Sequence, residues 1–155
     1  MTEINSNIDG VKIMPLKKFP DVRGTIMHGV RSDNILNPFG EVYFKKLYRG
    51  VINGWHVHES LILNYICISG MMHLVLYDLR EGSPTYKKTQ EVCFGEDNYC
   101  LIHIPPGIAN ASECITGEYS IMCNVASEPH NPDLKYRRID PNTGEIPFDW
   151  SKKDF

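Results

Sequence analysis

Two histidines in Trp55-His56-Val57-His58 are the residues with the clearest chemical potential. Extended backbone sends side chains i and i+2 to one face, so His56 and His58 share one side of a strand. Two imidazoles on a concave face can bind a metal or move protons near neutral pH. They can equally be structural histidines satisfied by their neighbours. Downstream, Ile104-Pro105-Pro106-Gly107-Ile108-Ala109-Asn110 reads as a rigid turn leading into a strand. Proline fixes φ there, and glycine takes a conformation that other residues avoid. Alone this is turn chemistry; partnership with the histidine pair makes Asn110 a candidate binding residue. Asp78-Leu79-Arg80, followed by Ser83-Pro84-Thr85, reads as a structural ion pair closing a strand. In Phe19-Pro20-Asp21-Val22-Arg23-Gly24, the planar guanidinium of Arg23 suits phosphate oxygens, although the segment by itself is a solvated turn.

The elements that must position these residues are short β-like runs. Strands are expected at about 11–16, 24–30, 41–48, 61–69, 71–78, 89–94, 99–104 and 118–125, with Gly and Pro punctuation between them. Regular spacing of this kind marks a β sandwich or barrel. Gly70, between two apolar runs, suggests a tight hairpin, and only 31–36 suits a helical turn. The chain has 155 residues, a length that suits one domain of roughly 100–200 residues. Residues 1–10 read as an N-terminal arm. Residues 127–155 are polar and Pro-rich and read as a segment wrapping the barrel, anchored by Phe148 and Trp150.

Composition narrows the function classes. A net charge of −3 supplies no basic field, which argues against a nucleic-acid partner working by counterion release. The longest apolar stretch is broken by Asn64 and too short to span a bilayer. Five cysteines at irregular spacing, with no CxxC, read as reduced thiols. The N-terminus shows no signal-peptide pattern. These features together lead us to expect a cytoplasmic protein with neither a membrane nor a nucleic-acid partner.

Taken in order, FPDVRG, GVINGWHVH, ISG, YDLREGSPTY, HIPPGIAN and RRIDPNTGEIPFDW resemble the RmlC-like cupins, the dTDP-4-dehydrorhamnose 3,5-epimerase family, across residues 10–150. The resemblance implies an all-β cupin jelly-roll (double-stranded β-helix) barrel, dimeric, with no metal and no organic cofactor. The implied substrate is a nucleotide-diphosphate-linked 4-keto-6-deoxy sugar, epimerised for a deoxysugar or surface polysaccharide. It places the general base at His56, the carboxylate of a His–Asp dyad at Asp140, and a phosphate contact at Arg23.

This chain also departs from the family pattern. Asn53 stands for the family's RGLH arginine and Leu63 for its lysine. The family's tyrosine acid falls at Met122–Cys123, and a usual second-motif histidine is Asn110. Strand parity offers His58 or Lys46 as oxyanion stabiliser and Tyr65 or Tyr43 as acid. Three other readings stay open: a metal cupin, a 3,4-ketoisomerase, and a non-catalytic binder of sugar nucleotides. Glu59 directly follows His58 and would face away from it, leaving two ligands where a transition metal needs more.

Overall fold

The computed structural model describes residues 3–34 and 38–153. Twelve strands follow in chain order: β1 (Lys12–Pro15), β2 (Lys18–Asp21), β3 (Gly24–Met27), β4 (Glu41–Tyr48), β5 (Ile52–His58), β6 (Leu63–Ser69), β7 (Met71–Asp78), β8 (Thr89–Gly95), β9 (Cys100–Ile104), β10 (Ile108–Cys114), β11 (Tyr119–Ala126) and β12 (Tyr136–Arg138). They form two five-stranded antiparallel sheets, ordered β1-β9-β6-β11-β4 and β12-β5-β10-β7-β8, and a separate β2-β3 hairpin. This is the all-β architecture that the resemblance implies. No helix among the described residues is long and apolar enough to cross a membrane.

β6 and β7 are buried along most of both faces, which explains their near-continuous apolar runs. Between the sheets lie Leu63, Tyr65, Met72, Leu74, Phe94, Ile102 and Met122. Behind the first sheet, Ile66, Leu101 and Val125 pack with Met27 and Val30, from the segment that includes the hairpin. Behind the second, Trp55, Val75 and Tyr77 meet Ile139, Ile146 and Trp150. Phe148 and Trp150 therefore anchor the C-terminal segment, edge-on to each other at 4.8 Å between ring centroids. At the other end of the chain, Ile8 is buried in the central core. Residues 1 and 2 of the expected arm, and 154 and 155 of the wrapping segment, lie outside the described residues.

Several sequence expectations change. β6 and β7 do not form a hairpin: they belong to different sheets, and Gly70 turns the chain from one to the other at φ +73°. A side chain there would crowd the Tyr119 carbonyl at 3.2 Å. Asn53-Gly54 has the composition of a turn but lies inside β5. Gly54 has no Cβ because one would sit 2.3 Å from the Ala111 Cβ on neighbouring β10. β10 itself is built of small and polar residues, IANASEC, yet every one is buried, so no hydrophobic run announces it. At 31–36, Asn34 N–H donates to the Arg31 carbonyl at 3.1 Å, and residues 35 and 36 lie outside the described residues.

The Asp78 carboxylate is fully buried and accepts from Arg80 Nε at 2.9 Å, Ser83 Oγ at 2.7 Å and Thr85 Oγ1 at 2.7 Å. Burial alone would raise its pKa, but these donors outweigh it and hold the carboxyl well below the usual carboxylate range. Arg80 also reaches the Asp9 carbonyl at 2.7 Å, tying the N-terminal arm to this loop.

Candidate active site

The partnership of the two motifs is a physical contact. Gly107 N–H, in the Pro-Pro-Gly turn, donates to the His58 carbonyl at 2.8 Å, and Asn110 Nδ2 donates to the His56 carbonyl at 3.1 Å. With β5 pinned this way, His56 and His58 face a cavity of about 530 Å³, a size that suits a small-molecule ligand. Tyr43 and Lys45 of β4, Tyr65 of β6 and Tyr136 of β12 also line it, and residues 128–132 with Leu134 form a further wall.

Both nitrogens of His56 are engaged. Nε2 lies 3.2 Å from Asn53 Oδ1, which can only accept, so Nε2 carries the hydrogen. Nδ1 is then the bare lone pair and takes the Tyr136 hydroxyl hydrogen in a short contact. The Tyr136 ring stacks beside His56 at 5.6 Å and lies 5.0 Å from His58. Burial, then the Lys45 ammonium, push the His56 pKa down to about 4, so the imidazole is neutral at physiological pH. The same two causes lower His58. Lys45 is itself brought down to about 8 by burial.

The expected site residues fare differently. Asp140 does not touch His56. Its carboxylate accepts from the backbone and side chain of Asn142, at 2.8 and 3.0 Å, in an exposed turn just past the end of β12. The side chain that contacts His56 Nε2 is instead Asn53, a neutral carboxamide at the position where the resemblance implies an arginine. Lys46 points out of the barrel, its ammonium 4.0 Å above the Tyr119 ring; alternation along β4 sends Lys45 inward instead. Tyr65 lines the cavity, but its hydroxyl donates to Asn110 Oδ1 at 3.1 Å, and burial raises its pKa well above the ordinary value. Asn110 is thus spent on Tyr65 and the His56 carbonyl and does not line the cavity. Arg23 is 87% exposed on the β2-β3 hairpin, paired with Asp21, and is not part of the cavity wall. No group of three or more His, Cys, Asp or Glu side chains among the described residues is placed to hold a metal.

A neutral histidine and a lysine facing one cavity can remove and stabilise charge next to a carbonyl. Known proteins similar to this chain include ones named for polysaccharide and glycan biosynthesis. The chain is 38% identical over 149 residues to the spore coat polysaccharide biosynthesis protein SpsL of Bacillus subtilis, covering 93% of this chain and 97% of that one. It is 31% identical over 147 residues to a probable low-salt glycan biosynthesis epimerase, Agl13, of Haloferax volcanii, covering 92% and 90%. The crystal structure of a dTDP sugar isomerase from Desulfovibrio desulfuricans G20 superposes with a TM-score of 0.92 at 29% identity, covering 97% of each chain. The family model for dTDP-4-dehydrorhamnose 3,5-epimerase matches residues 5–155, and the chain, with its cupin barrel and inward-facing His56, belongs to that family.

Proposed function

We propose that this protein epimerises a dTDP-linked 4-keto-6-deoxy sugar destined for a polysaccharide or glycan. The observation that carries this reading is the neutral imidazole of His56 facing the same cavity as the Lys45 ammonium. A ketone at C4 acidifies the hydrogens on C3 and C5. Nδ1 of His56 takes one of them as Tyr136 yields that lone pair to the substrate. The electron pair moves onto the carbonyl oxygen, where Lys45 stabilises the enolate, and a proton returned to the opposite face inverts the carbon. No electrons are gained or lost overall, so the reaction calls for no redox cofactor. Five free cysteines suit a cytoplasmic, reducing setting. A homodimer is part of the proposal: Phe19, Val22 and Ile26 stand exposed on the β2-β3 hairpin, an apolar surface suited to a second copy.

The test is incubation with dTDP-linked 4-keto-6-deoxyhexoses in D₂O, reading deuterium at C3 and C5 by NMR. Label at one carbon with inverted product is expected, because a single base and a single cation serve the site. Label with the carbonyl moved to C3 would make the protein a ketoisomerase. A bound sugar nucleotide with no label at either carbon would make it a binder.

The pH dependence of kcat/KM should be bell-shaped. His56 must be unprotonated, so activity rises through about pH 4; Lys45 must be charged, so activity falls through about pH 8. Lys45→Met should cost about 10²–10³ in rate and erase the alkaline limb. An alkaline limb that persists in this variant would remove Lys45 from the mechanism.

A further inference from the structure

We infer that Tyr43 is the acid that returns the proton, and that the buried carboxamide of Asn124 aims its hydrogen into the cavity. The inference rests on the epimerase reading above and supplies its missing half. Asn124 on β11 is fully buried and stands opposite Tyr43 of β4 and Tyr65 of β6. Its Oδ1 lies 3.0 Å from the backbone nitrogen of Asn64. A backbone N–H can only donate, so this contact identifies which end of the carboxamide is oxygen. Nδ2 is then the atom 2.9 Å from the Tyr43 hydroxyl, and it donates to the phenolic oxygen. The hydrogen of Tyr43 must therefore point elsewhere.

Asn64 is held in turn. Its Nδ2 donates to the Val125 carbonyl at 2.9 Å and its Oδ1 meets His103 Nδ1 at 2.9 Å, so the whole chain of amides has one orientation. The three phenols of the cavity are thereby distinguished. Tyr65 spends its hydrogen on Asn110 and Tyr136 spends its own on His56. Tyr43 alone among them keeps a hydrogen with no acceptor among the described residues.

Position supports the same role. β4 and β5 belong to different sheets, so Tyr43 and His56 approach the cavity from separate walls, as inversion requires. The step balances. His56 removes the carbon-bound proton and the pair enters the enolate. The Tyr43 O–H bond then breaks as a new C–H bond forms on the other face. The resulting phenolate keeps its hydrogen bond from Asn124 beside Lys45, and solvent restores both protonation states.

Tyr43→Phe separates the two halves of the reaction. With a dTDP-linked 4-keto-6-deoxyhexose in D₂O, deuterium exchange should stay of the same order as in the unchanged protein. Inverted product should fall by about 10²–10⁴-fold. Inversion that survives overturns the inference. So does joint loss of exchange and inversion in a variant that melts normally and still binds the sugar nucleotide.

Asn124→Asp tests the aiming. It keeps an acceptor for the Asn64 N–H but, once ionised, offers Tyr43 no donor and captures its hydrogen. The ratio of inverted to exchanged product, relative to the unchanged protein, should fall as pH rises and recover at acid pH. Glu41 and Lys45 on β4, Tyr65 on β6, His56 and His58 on β5, Tyr136 on β12, and Glu128 and His130 in the wall also face this cavity. All are common to both proteins and cancel in the ratio. A ratio that does not depend on pH overturns the positioning role. Absence of any exchange in the unchanged protein would remove the epimerase reading and this inference together. Exchange with intact inversion in Tyr43→Phe would remove the acid assignment alone.

Discussion

His56→Asn is expected to lower deuterium exchange by about 10²–10⁴-fold while sugar-nucleotide binding persists. Asparagine keeps a polar group near Tyr136 but has no lone pair basic enough to take a proton from carbon. The structure sharpens the accompanying controls. Asp140→Asn should leave exchange nearly unchanged, because that carboxylate serves the turn at Asn142. Asn53→Ala should impair exchange by freeing the ring to adopt the other tautomer, the kind of loss seen when a histidine's orienting partner is removed. Rates are read by NMR in D₂O, and binding by calorimetry with dTDP. Unchanged exchange in His56→Asn would move the base to His58, the next imidazole on the same face.

Asp78→Asn should be the most damaging single change to stability, by about 3–5 kcal/mol, because it breaks a buried charged pair and leaves its partner groups unmatched. The pH dependence follows from the direction of the shift. The folded carboxyl titrates below its unfolded value of about 3.9. Its contribution is therefore complete above that pH and is lost as pH falls towards the folded value. Urea unfolding at neutral pH measures the difference. A loss under about 1 kcal/mol, ordinary for a surface substitution, would show that water had replaced the lost partner. Since Arg80 also holds Asp9, the N-terminal arm should loosen in this variant before the sheets do.

Much of the barrel was legible because alternation and turn residues are local properties of the chain. β4 shows where that legibility ended. Its outward residues Val42, Phe44 and Tyr48 are exposed, while Tyr43 and Lys45 face the cavity. A rule that sends apolar residues inward chooses the wrong face here, and with it Lys46 over Lys45. β4 is an edge strand whose inner face borders an open cavity rather than the closed core, so the usual sidedness is reversed there. The place of Asn53 is hidden for a related reason. Beside Gly54 it looks like a turn, and only the close approach to Ala111 shows why a strand carries that glycine. Asp140 was placed by resemblance alone; the backbone leaves β12 just before it, and no local signal marks that departure. Tyr136 had no signal at all, since β12 is three exposed residues long.

That short strand has a consequence for how the enzyme comes into being. His56 and Tyr136 lie 80 positions apart, and Trp55 exchanges both its backbone hydrogen bonds with Ile139. Loop closure over such a distance is entropically costly and comes slowly in folding. A chain emerging from the ribosome can therefore complete most of both sheets while His56 still lacks the hydroxyl that occupies its lone pair. The completed cavity wall is in this sense a late product of synthesis. The same pairing that seals the outer face behind Trp55 also brings Tyr136 into the cavity wall, so the two surfaces of β5 are finished in one event.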